Sequence, residues 1–286
     1  MADMAQPPYD LAEEVAPGVR RILAANPSPF TFEGTETYLV GTDEVAVIDP
    51  GPDLPDHIEA ILAAAGQGRV AAILCTHNHR DHSPASRTLA ARTGAPIVGC
   101  APLAIPDDGP RADAAFDFDY APDRVLEDGE TLEGEGWALT AVATPGHTSN
   151  HLCFAYRDLL FTGDHVMGWS TTVIAPPDGD MATYMASLDK LRKRDDRIYL
   201  PAHGPAVDKP KSHVRALVTH RKMREKQILK RIGEGVAEIP AMVATMYREI
   251  DPRLHPAAGR SVLAHLIDLE QRGLVRREGA AWTLAA

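Results

Sequence analysis

Short apolar runs alternate with helical segments through the first 200 residues of the chain. Residues 44–48 form a run typical of a buried strand, and the polar turn at residues 49–52 ends it. In residues 57–65 the apolar positions recur at helical spacing, and Gly66 follows the end of the segment. Further strands are predicted at residues 70–76, 95–98, 139–143, 152–156, 159–161 and 198–200, and a second helix at residues 84–93. Strands that alternate with helices predict an α/β domain.

The pattern changes after Pro210. Three helices are predicted beyond it, at residues 211–232, 239–250 and 257–272. A hairpin is predicted last, from two short segments at residues 274–278 and 281–284 that meet at Gly279-Ala280. Helices followed by a small hairpin are typical of a winged helix, which is a variant of the helix-turn-helix arrangement. Residues 101–123, by contrast, are predicted to form a loop, because four prolines interrupt them.

Charge is distributed unevenly along the chain. Residues 1–204 carry 14 basic and 31 acidic side chains, whereas residues 205–286 carry 15 basic and 9 acidic side chains. The net charges are therefore −17 and +6, within a total of −11. This step predicts a domain boundary near residue 210 and places any attraction for anions in the tail. A solvated basic helix would give the same pattern.

Composition excludes several classes of protein. The 286 residues are 44% hydrophobic and 24% charged, which is ordinary for a globular protein. No run of about 18 apolar residues exists, so neither a membrane-spanning helix nor a membrane partner is expected. The first fifteen residues lack a basic start and an apolar stretch, and three cysteines are few. We therefore expect a cytoplasmic protein.

Candidate metal ligands are concentrated in one short segment, His77-Asn78-His79-Arg80-Asp81-His82. Four ligand side chains in six residues are not typical of a core, because several ionisable groups would lose their hydration together. The segment follows a predicted strand, so alternation sends His77 and His79 to one side. Asp81 and His82 then reach a neighbouring point after the chain turns. One such segment could serve two metal ions a few ångströms apart.

Three other loops carry further candidate ligands. They are the segments 144–148, 162–164 and 201–204, which contain His147, Asp164 and His203. Each loop follows a predicted strand and combines its ligand with Gly or Pro, residues that permit sharp turns. A single histidine beside a glycine is more often an ordinary surface residue. Four loops of the same chemical class, all after strands, favour a metal site.

The motifs HNHRDH, PGHT, TGDH and PAHG resemble those of the metallo-β-lactamase superfamily, and the resemblance covers residues 18 to about 208. It implies a four-layer αβ/βα sandwich, in which two mixed sheets carry helices on both outer faces. A small C-terminal α-rich winged-helix domain would follow. The implied organisation is a flexible N-terminus at residues 1–17, a catalytic domain at 18–210, and a linker helix with the winged helix at 211–286.

The resemblance also implies the ligands of two divalent ions per chain. One ion would be held by three imidazoles, those of His77, His79 and His147. The second would be held by Asp81, His82 and His203. Asp164 would bridge the two ions, and Asp49 matches a family position that supports the metal loop without binding metal. Zinc is expected first, because imidazole and carboxylate ligands suit it, although Mn²⁺ and Fe²⁺ suit the same mixture.

Residues 220–229 and the winged helix are similar to the subgroup that contains beta-lactamase-like protein 2. Tyr184 and the turn at residues 201–205 match that subgroup as well. Two positions depart from the family, Glu36, where many relatives carry Asn, and Asn150, where simpler relatives carry Gly. Both departures lie near the expected mouth of the site, so they bear on the substrate rather than on the metals.

The expected reaction is hydrolysis, because a divalent ion lowers the pKa of bound water from about 15.7 to near 7. The resulting hydroxide would attack a carbonyl or phosphoryl centre. Asp81 is the candidate catalytic residue, since its second oxygen could orient the hydroxide and accept its proton. His151 is a candidate proton donor to the leaving group, but a supporting role is favoured for it. Tyr184 is a further candidate for support or for substrate contact.

Four substrate or partner hypotheses remain open. A small ester, thioester or lactone suits the acidic catalytic part, whereas the subgroup resemblance implies cleavage of single-stranded RNA. The candidate phosphate contacts are Arg80, Lys211, Arg215, Arg221, Lys222 and Arg224. β-Lactam hydrolysis is disfavoured because true β-lactamases of the superfamily lack the bridging aspartate. A metal-sensing regulator that binds DNA is disfavoured by the mixed charge of residues 257–272. The tail, residues 211–286, is instead expected to cover the mouth of the active site or to form a homodimer contact.

Overall fold

The computed structural model describes residues 7–103, 116–249 and 251–285. They form two compact units. The first contains the described residues up to 143 together with 150–170 and 196–208, and the second contains 144–149, 171–195 and the described residues from 209 onward. None of the described helices is long and apolar enough to cross a membrane.

The first unit holds two mixed sheets. The first sheet consists, in spatial order, of β1 (Glu13–Ala16), β2 (Val19–Leu23), β3 (Glu36–Val40), β4 (Glu44–Ile48), β5 (Arg69–Cys75), β6 (Ile97–Gly99) and β7 (Arg124–Val125). Strands β1 to β4 pair antiparallel and β4 to β7 pair parallel. The second sheet has the order β12 (Ile198–Pro201), β11 (Leu159–Gly163), β10 (Leu152–Tyr156), β9 (Trp137–Ala143) and β8 (Thr131–Gly134). Only its β11–β12 pair is parallel within the described chain.

Apolar side chains from both sheets share one core. Tyr38 and Ile48 of the first sheet belong to the same buried cluster as Leu139 and Phe154 of the second. A separate cluster lies between the other face of the first sheet and two helices, α1 (Pro55–Ala65) and α2 (Ala85–Thr93). The predicted α/β sandwich of mixed sheets is confirmed.

Parallel pairing brings the candidate ligand loops to common sheet edges. β4 and β5 run parallel, so Asp49 and the segment from His77 follow the same edge of the first sheet. β11 and β12 run parallel, so Asp164 and His203 follow the same edge of the second. The carboxyl ends of parallel strands are where α/β folds place their sites.

The second unit is mainly helical. Its elements are α3 (Met181–Leu191), α4 (Pro210–Gly233), α5 (Ile239–Met246), a 3-10 turn at Pro252–Leu254, α6 (His255–Gln271), β13 (Val275–Glu278) and β14 (Ala281–Leu284). The last two strands pair as an antiparallel hairpin. Ile228, Val262, Leu266 and Trp282 lie in one buried cluster of this unit. Helices followed by a packed hairpin are the predicted winged-helix arrangement.

Some predictions differ from the structure in detail. Strands β1 to β3, β7 and β8 and helix α3 were not predicted, and β1 lies within residues 1–17, for which a flexible N-terminus was expected. Helix α5 ends at Met246, whereas the pattern predicted residues 239–250; Ile250 lies outside the described residues. Of the predicted loop at 101–123, residues 104–115 lie outside the described residues, and Arg124–Val125 follows it as a strand. The domain boundaries at 17 and 210 stay predictions.

Candidate metal centre

Asp49 fixes the start of the histidine-rich loop. Its carboxylate accepts hydrogen bonds from the Thr76 N–H at 2.7 Å and from the Thr76 hydroxyl at 2.8 Å. His82 Nδ1 lies 3.1 Å from the same carboxylate. Because that nitrogen donates to Asp49, the other ring nitrogen, Nε2, is the one that His82 offers to a metal. The Asp49 carboxylate therefore makes three contacts with the start of this loop, and its supporting role at a metal centre stays a prediction.

Asp81, His82, His203 and Asp164 converge on one point. His203 Nε2 lies 3.2 Å from Asp81 Oδ2 and 3.3 Å from Asp164 Oδ1. His82 Nε2 lies 3.6 Å from each of the same two oxygens. Ligand atoms placed 2.0–2.2 Å from a tetrahedral metal are about 3.4 Å from one another. The separations found are those of a ligand cage.

Two groups of side chains have the chemistry and spacing to hold a metal ion within the described residues. The first is His77, His79, His147 and Asp164, and the second is Asp81, His82 and His203. The ligand atoms of each group lie within 4.8 Å of one another. His82 Nε2 and His203 Nε2 are buried and make no hydrogen bond in the described part of the chain. Buried nitrogens of this kind are costly unless a partner arrives, so the residues present fit metal ions.

The charges of the second group already favour deprotonated carboxylate beside protonated imidazole. Burial opposes ionisation of Asp81, but His82 and His203 outweigh it and hold the pKa of that carboxyl below its usual range. Burial alone would lower the pKa of His82, yet Asp81, Asp164 and Asp49 raise it well above the ordinary value. The pKa of His203 is raised by Asp164 and Asp81 against the same effect of burial.

Metal uptake should therefore release protons at pH 7. Imidazole binds a metal only when Nε2 is deprotonated, and the raised pKa values keep protons on His82 and His203 above the ordinary value of about 6.5. The apparent zinc affinity is expected to fall as the pH is lowered, with the loss starting above about pH 6.5. Calorimetric titration with zinc in buffers of different ionisation enthalpy measures the released protons. Uptake at pH 7 that releases none would contradict this arrangement of charges.

The remaining predicted residues are His147, which belongs to the first ligand group, and His151 and Tyr184. His147 Nδ1 donates to the Val173 carbonyl at 2.7 Å. His151 is buried, and its Nε2 lies 3.3 Å from the backbone N–H of Asp164, which donates to it. That contact supports the Asp164 loop and occupies the nitrogen that a proton donor would need. Tyr184 is buried on α3, where its backbone lies directly against Gly146.

Several residues that hold the histidine-rich loop were not predicted from the sequence. Thr76 carries two of the contacts to Asp49, and its position next to His77 was the available signal. Asp117 accepts from Ser83 at 2.8 Å and from Arg87 at 2.7 Å, and no motif marks it. Asn150, noted as a departure from the family, donates to the Asn78 side chain at 2.9 Å. This departure therefore contributes to the loop itself.

Glu36, the other departure, lies in a buried polar cluster. Burial raises the pKa of its carboxyl, and Arg21 at 3.2 Å offsets that effect only in part. Tyr38 Oη lies 2.5 Å from Glu36 Oε2 and 2.7 Å from the carbonyl of Pro201, the residue that ends β12. The Glu36 N–H donates to the Ala202 carbonyl at 2.7 Å. Glu36 therefore connects β3 to the turn that carries His203.

Comparison with known proteins identifies a family for each of the two parts of the chain. Residues 31–203 match the family model of the metallo-beta-lactamase superfamily, and residues 239–282 match the beta-lactamase associated winged helix domain. A beta-lactamase-like protein 2 homolog of Drosophila melanogaster is 32% identical over 90% of this chain and 89% of its own length. The atrochrysone carboxyl ACP thioesterase dmxR1 of Cryptosporiopsis sp. (strain 8999) is 29% identical over 84% of this chain and 75% of its own.

Solved structures share the fold. A beta-lactamase domain protein from Burkholderia ambifaria superposes with a TM-score of 0.80, covering 99% of this chain and 96% of its own at 21% identity. A metallo-beta-lactamase family protein from Thermus thermophilus gives a TM-score of 0.78, with 95% and 100% coverage and also 21% identity. At this identity the likeness concerns the fold alone.

Proposed function

The chain belongs to the metallo-beta-lactamase superfamily of hydrolases, and from that premise we propose that it hydrolyses small thioesters, esters or lactones at a centre of two zinc ions. The carrying observation is the convergence of Asp81, His82, His203 and Asp164 within 3.2–3.6 Å, beside a second group of candidate ligands. The relative named as an ACP thioesterase supports thioester chemistry. β-Lactam cleavage and metal-sensing regulation have no comparable support in the described site.

Two ligand sets are assigned. His77, His79 and His147 are assigned to the first ion. Asp81, His82 and His203 would hold the second ion, and Asp164, which lies in the first group and near His82 and His203, would serve as a ligand to both. When bound, the ions supply a hydroxide at neutral pH and polarise the oxygen of the bond to be cleaved. Manganese or iron would suit the same ligands.

The protein's own groups orient this chemistry. Gly34 accepts a hydrogen bond from His203 Nδ1 at 3.0 Å, which directs Nε2 toward the centre. Asp49 does the same for His82. The Asp81 side chain is 27% exposed, more than Asp164 or the two histidines, so water can reach its carboxylate. Asp81 is therefore assigned the role of proton acceptor, and Asp164 is held through the contact of its N–H with His151.

Electrostatics favour a small neutral substrate over RNA. Residues 1–204 carry a net charge of −17, which repels phosphates. Most of the candidate phosphate contacts also have protein partners; they are Arg80, Lys211, Arg221 and Arg224. Arg221 is buried, so its assignment as a phosphate contact was wrong. Arg215 and Lys222 are exposed, as is Lys211 in its ion pair with Asp195, and so few charges on one helix would attract an RNA strand only weakly.

Salt dependence separates the two substrate classes. A neutral acyl thioester should be hydrolysed at nearly constant rate between about 50 and 200 mM salt by the zinc-loaded protein. RNA bound through about three phosphates should lose about 10-fold or more in affinity over that range. Both activities are measured on one preparation, with Arg215→Ala/Lys222→Ala as the matched variant. The thioester rate should not change in this variant.

Two outcomes would contradict the proposal. One is absence of thioester, ester and lactone hydrolysis from a zinc-loaded preparation that cleaves RNA. The other is RNA cleavage that resists about 200 mM salt and survives Arg215→Ala/Lys222→Ala. The second outcome would favour an endoribonuclease, because RNA would then be bound without Arg215 and Lys222, and the third exposed candidate on α4, Lys211, pairs with Asp195.

A further inference from the structure

Arg221 is a residue of the basic helix α4 that lies inside the second unit rather than in solvent. Only 3% of its surface is exposed. Its guanidinium donates to the Thr172 carbonyl, and its Cζ lies 5.2 Å from the centroid of the Tyr184 ring, within cation–π range. Its Nε is buried and has no hydrogen-bond partner among the described residues. Burying an arginine in this way is costly, so a role for its two contacts is expected.

The first contact leads to His147 through the backbone. Thr172 is buried, and the next residue, Val173, accepts a hydrogen bond from His147 Nδ1 at 2.7 Å. The guanidinium of Arg221 holds the Thr172 carbonyl, one peptide unit from the carbonyl that orients the His147 ring. The Val173 carbonyl determines which ring nitrogen of His147 remains for a metal, and the guanidinium of Arg221 holds the segment that carries this carbonyl.

The second contact, with Tyr184, supports the turn that precedes His147. A Cβ at Gly146 would lie 2.4 Å from Tyr184 Cα, so the turn before His147 rests directly on Tyr184. Gly146 has a φ of +143°, which favours glycine at this close approach. The Gly146 carbonyl also accepts from the Asp180 N–H at 2.9 Å, at the start of α3. Arg221 packs over the ring of Tyr184 and so stabilises the position of the residue that the Gly146 turn contacts.

We propose that Arg221 is a positioning residue for His147, through which the C-terminal helix controls the affinity of the first metal ion. The inference rests on the proposed function, because it takes His147 to be a metal ligand. On this proposal, residues 211–286 affect the metal centre through the buried guanidinium of Arg221. Loss of the contacts to Thr172 and Tyr184 would leave the fold of α4 but loosen the His147 turn.

Arg221→Met tests the inference, because Met keeps much of the volume but neither donates nor carries charge. Arg224→Met is the matched control. Arg224 lies one turn further along α4, donates to the Met246 carbonyl at 3.1 Å and stacks over Tyr247 at 4.2 Å, but makes no contact with the His147 segment in the described structure. Zinc affinity is measured by competition with a chromophoric chelator, and folding by thermal unfolding of the metal-free proteins. His147→Ala identifies which binding constant depends on His147.

Arg221→Met should lower that same binding constant by about 10-fold, and Arg221→Lys should recover part of it. Arg224→Met should bind zinc as the wild type does, even where its thermal stability falls equally. Wild-type zinc affinity in Arg221→Met, or an equal loss in Arg224→Met, would overturn the inference alone. If His147→Ala left both binding constants unchanged, the proposed ligand set itself would fail. Should Arg221→Met not fold, Arg221→Gln removes the cation over the Tyr184 ring but keeps one donor, so it should lower the same binding constant by a smaller factor, and wild-type affinity in it would overturn the inference.

Discussion

Asp81→Asn is expected to lower the rate of hydrolysis by about 10³-fold. The amide keeps the shape of the carboxylate but is neutral and accepts no proton. It also weakens one ligand of the second metal group, where Asp81 Oδ2 lies 3.2 Å from His203 Nε2. The rate loss should appear in kcat at saturating zinc and substrate, because the missing group acts on the reacting atoms.

Asp43→Asn is the control for the same chemical change at an exposed turn. It should retain wild-type activity and stability, because among the described residues the Asp43 carboxylate contacts only the neighbouring Thr42 hydroxyl, at 3.4 Å. Metal-free Asp81→Asn should unfold at a lower denaturant concentration than the wild type, because His82 and His203 lose the carboxylate that raises their pKa values. If Asp81→Asn bound two zinc ions and kept nearly the same kcat, the role of Asp81 as proton acceptor would be contradicted.

Asp49→Ala is expected to have the largest effect on stability. The carboxylate is 2% exposed and faces three donors, the Thr76 N–H, the Thr76 hydroxyl and His82 Nδ1. Leaving buried donors without an acceptor, one of them on a histidine with a raised pKa, should cost about 3–5 kcal/mol of unfolding free energy. Zinc affinity should also fall by about 10- to 100-fold, because His82 loses the partner that orients its ring.

Denaturant unfolding of the metal-free protein and chelator competition measure the two effects of Asp49→Ala. Asp53→Ala, four residues further along the same loop, is the control. Asp53 is exposed and accepts only from the Thr88 hydroxyl, at 2.9 Å, in the described structure. If Asp49→Asn is used because the alanine variant does not fold, a smaller loss of the same sign is expected. Equal stability of the Asp49 and Asp53 variants would contradict the role of the carboxylate network.

Much of the fold and site could be predicted because their signals are local. The strand at Glu44–Ile48 is a continuous apolar run, and the histidine-rich segment follows another such run directly. The ligand loops were recognisable because each comes after a strand, and parallel pairing then places them at common edges. The superfamily and the winged helix predicted from these motifs are confirmed.

Other features depend on contacts between distant segments and gave weaker signals. Strands β2 and β3 carry Arg21 and Glu36, whose ion pair satisfies charges that interrupt the apolar alternation. The basic residues around Arg221 predict a phosphate contact. Its spacing in α4 pointed the other way, since it lies four residues after Leu217 and seven before Ile228, both buried on the same helix. A charged residue on an apolar helical face indicates a buried contact, but not which partner receives it.

The most direct test of a dinuclear hydrolase is the rate of thioester hydrolysis during stepwise addition of zinc to metal-free protein. The ligand groups predict a rate that reaches its plateau only as the second equivalent per chain is bound, with bound zinc quantified in the same samples. His203→Ala, which removes one ligand of the second group, should leave a low rate that one equivalent saturates. Full activity of the wild type at one equivalent, or no hydrolysis at any zinc content, would contradict the account.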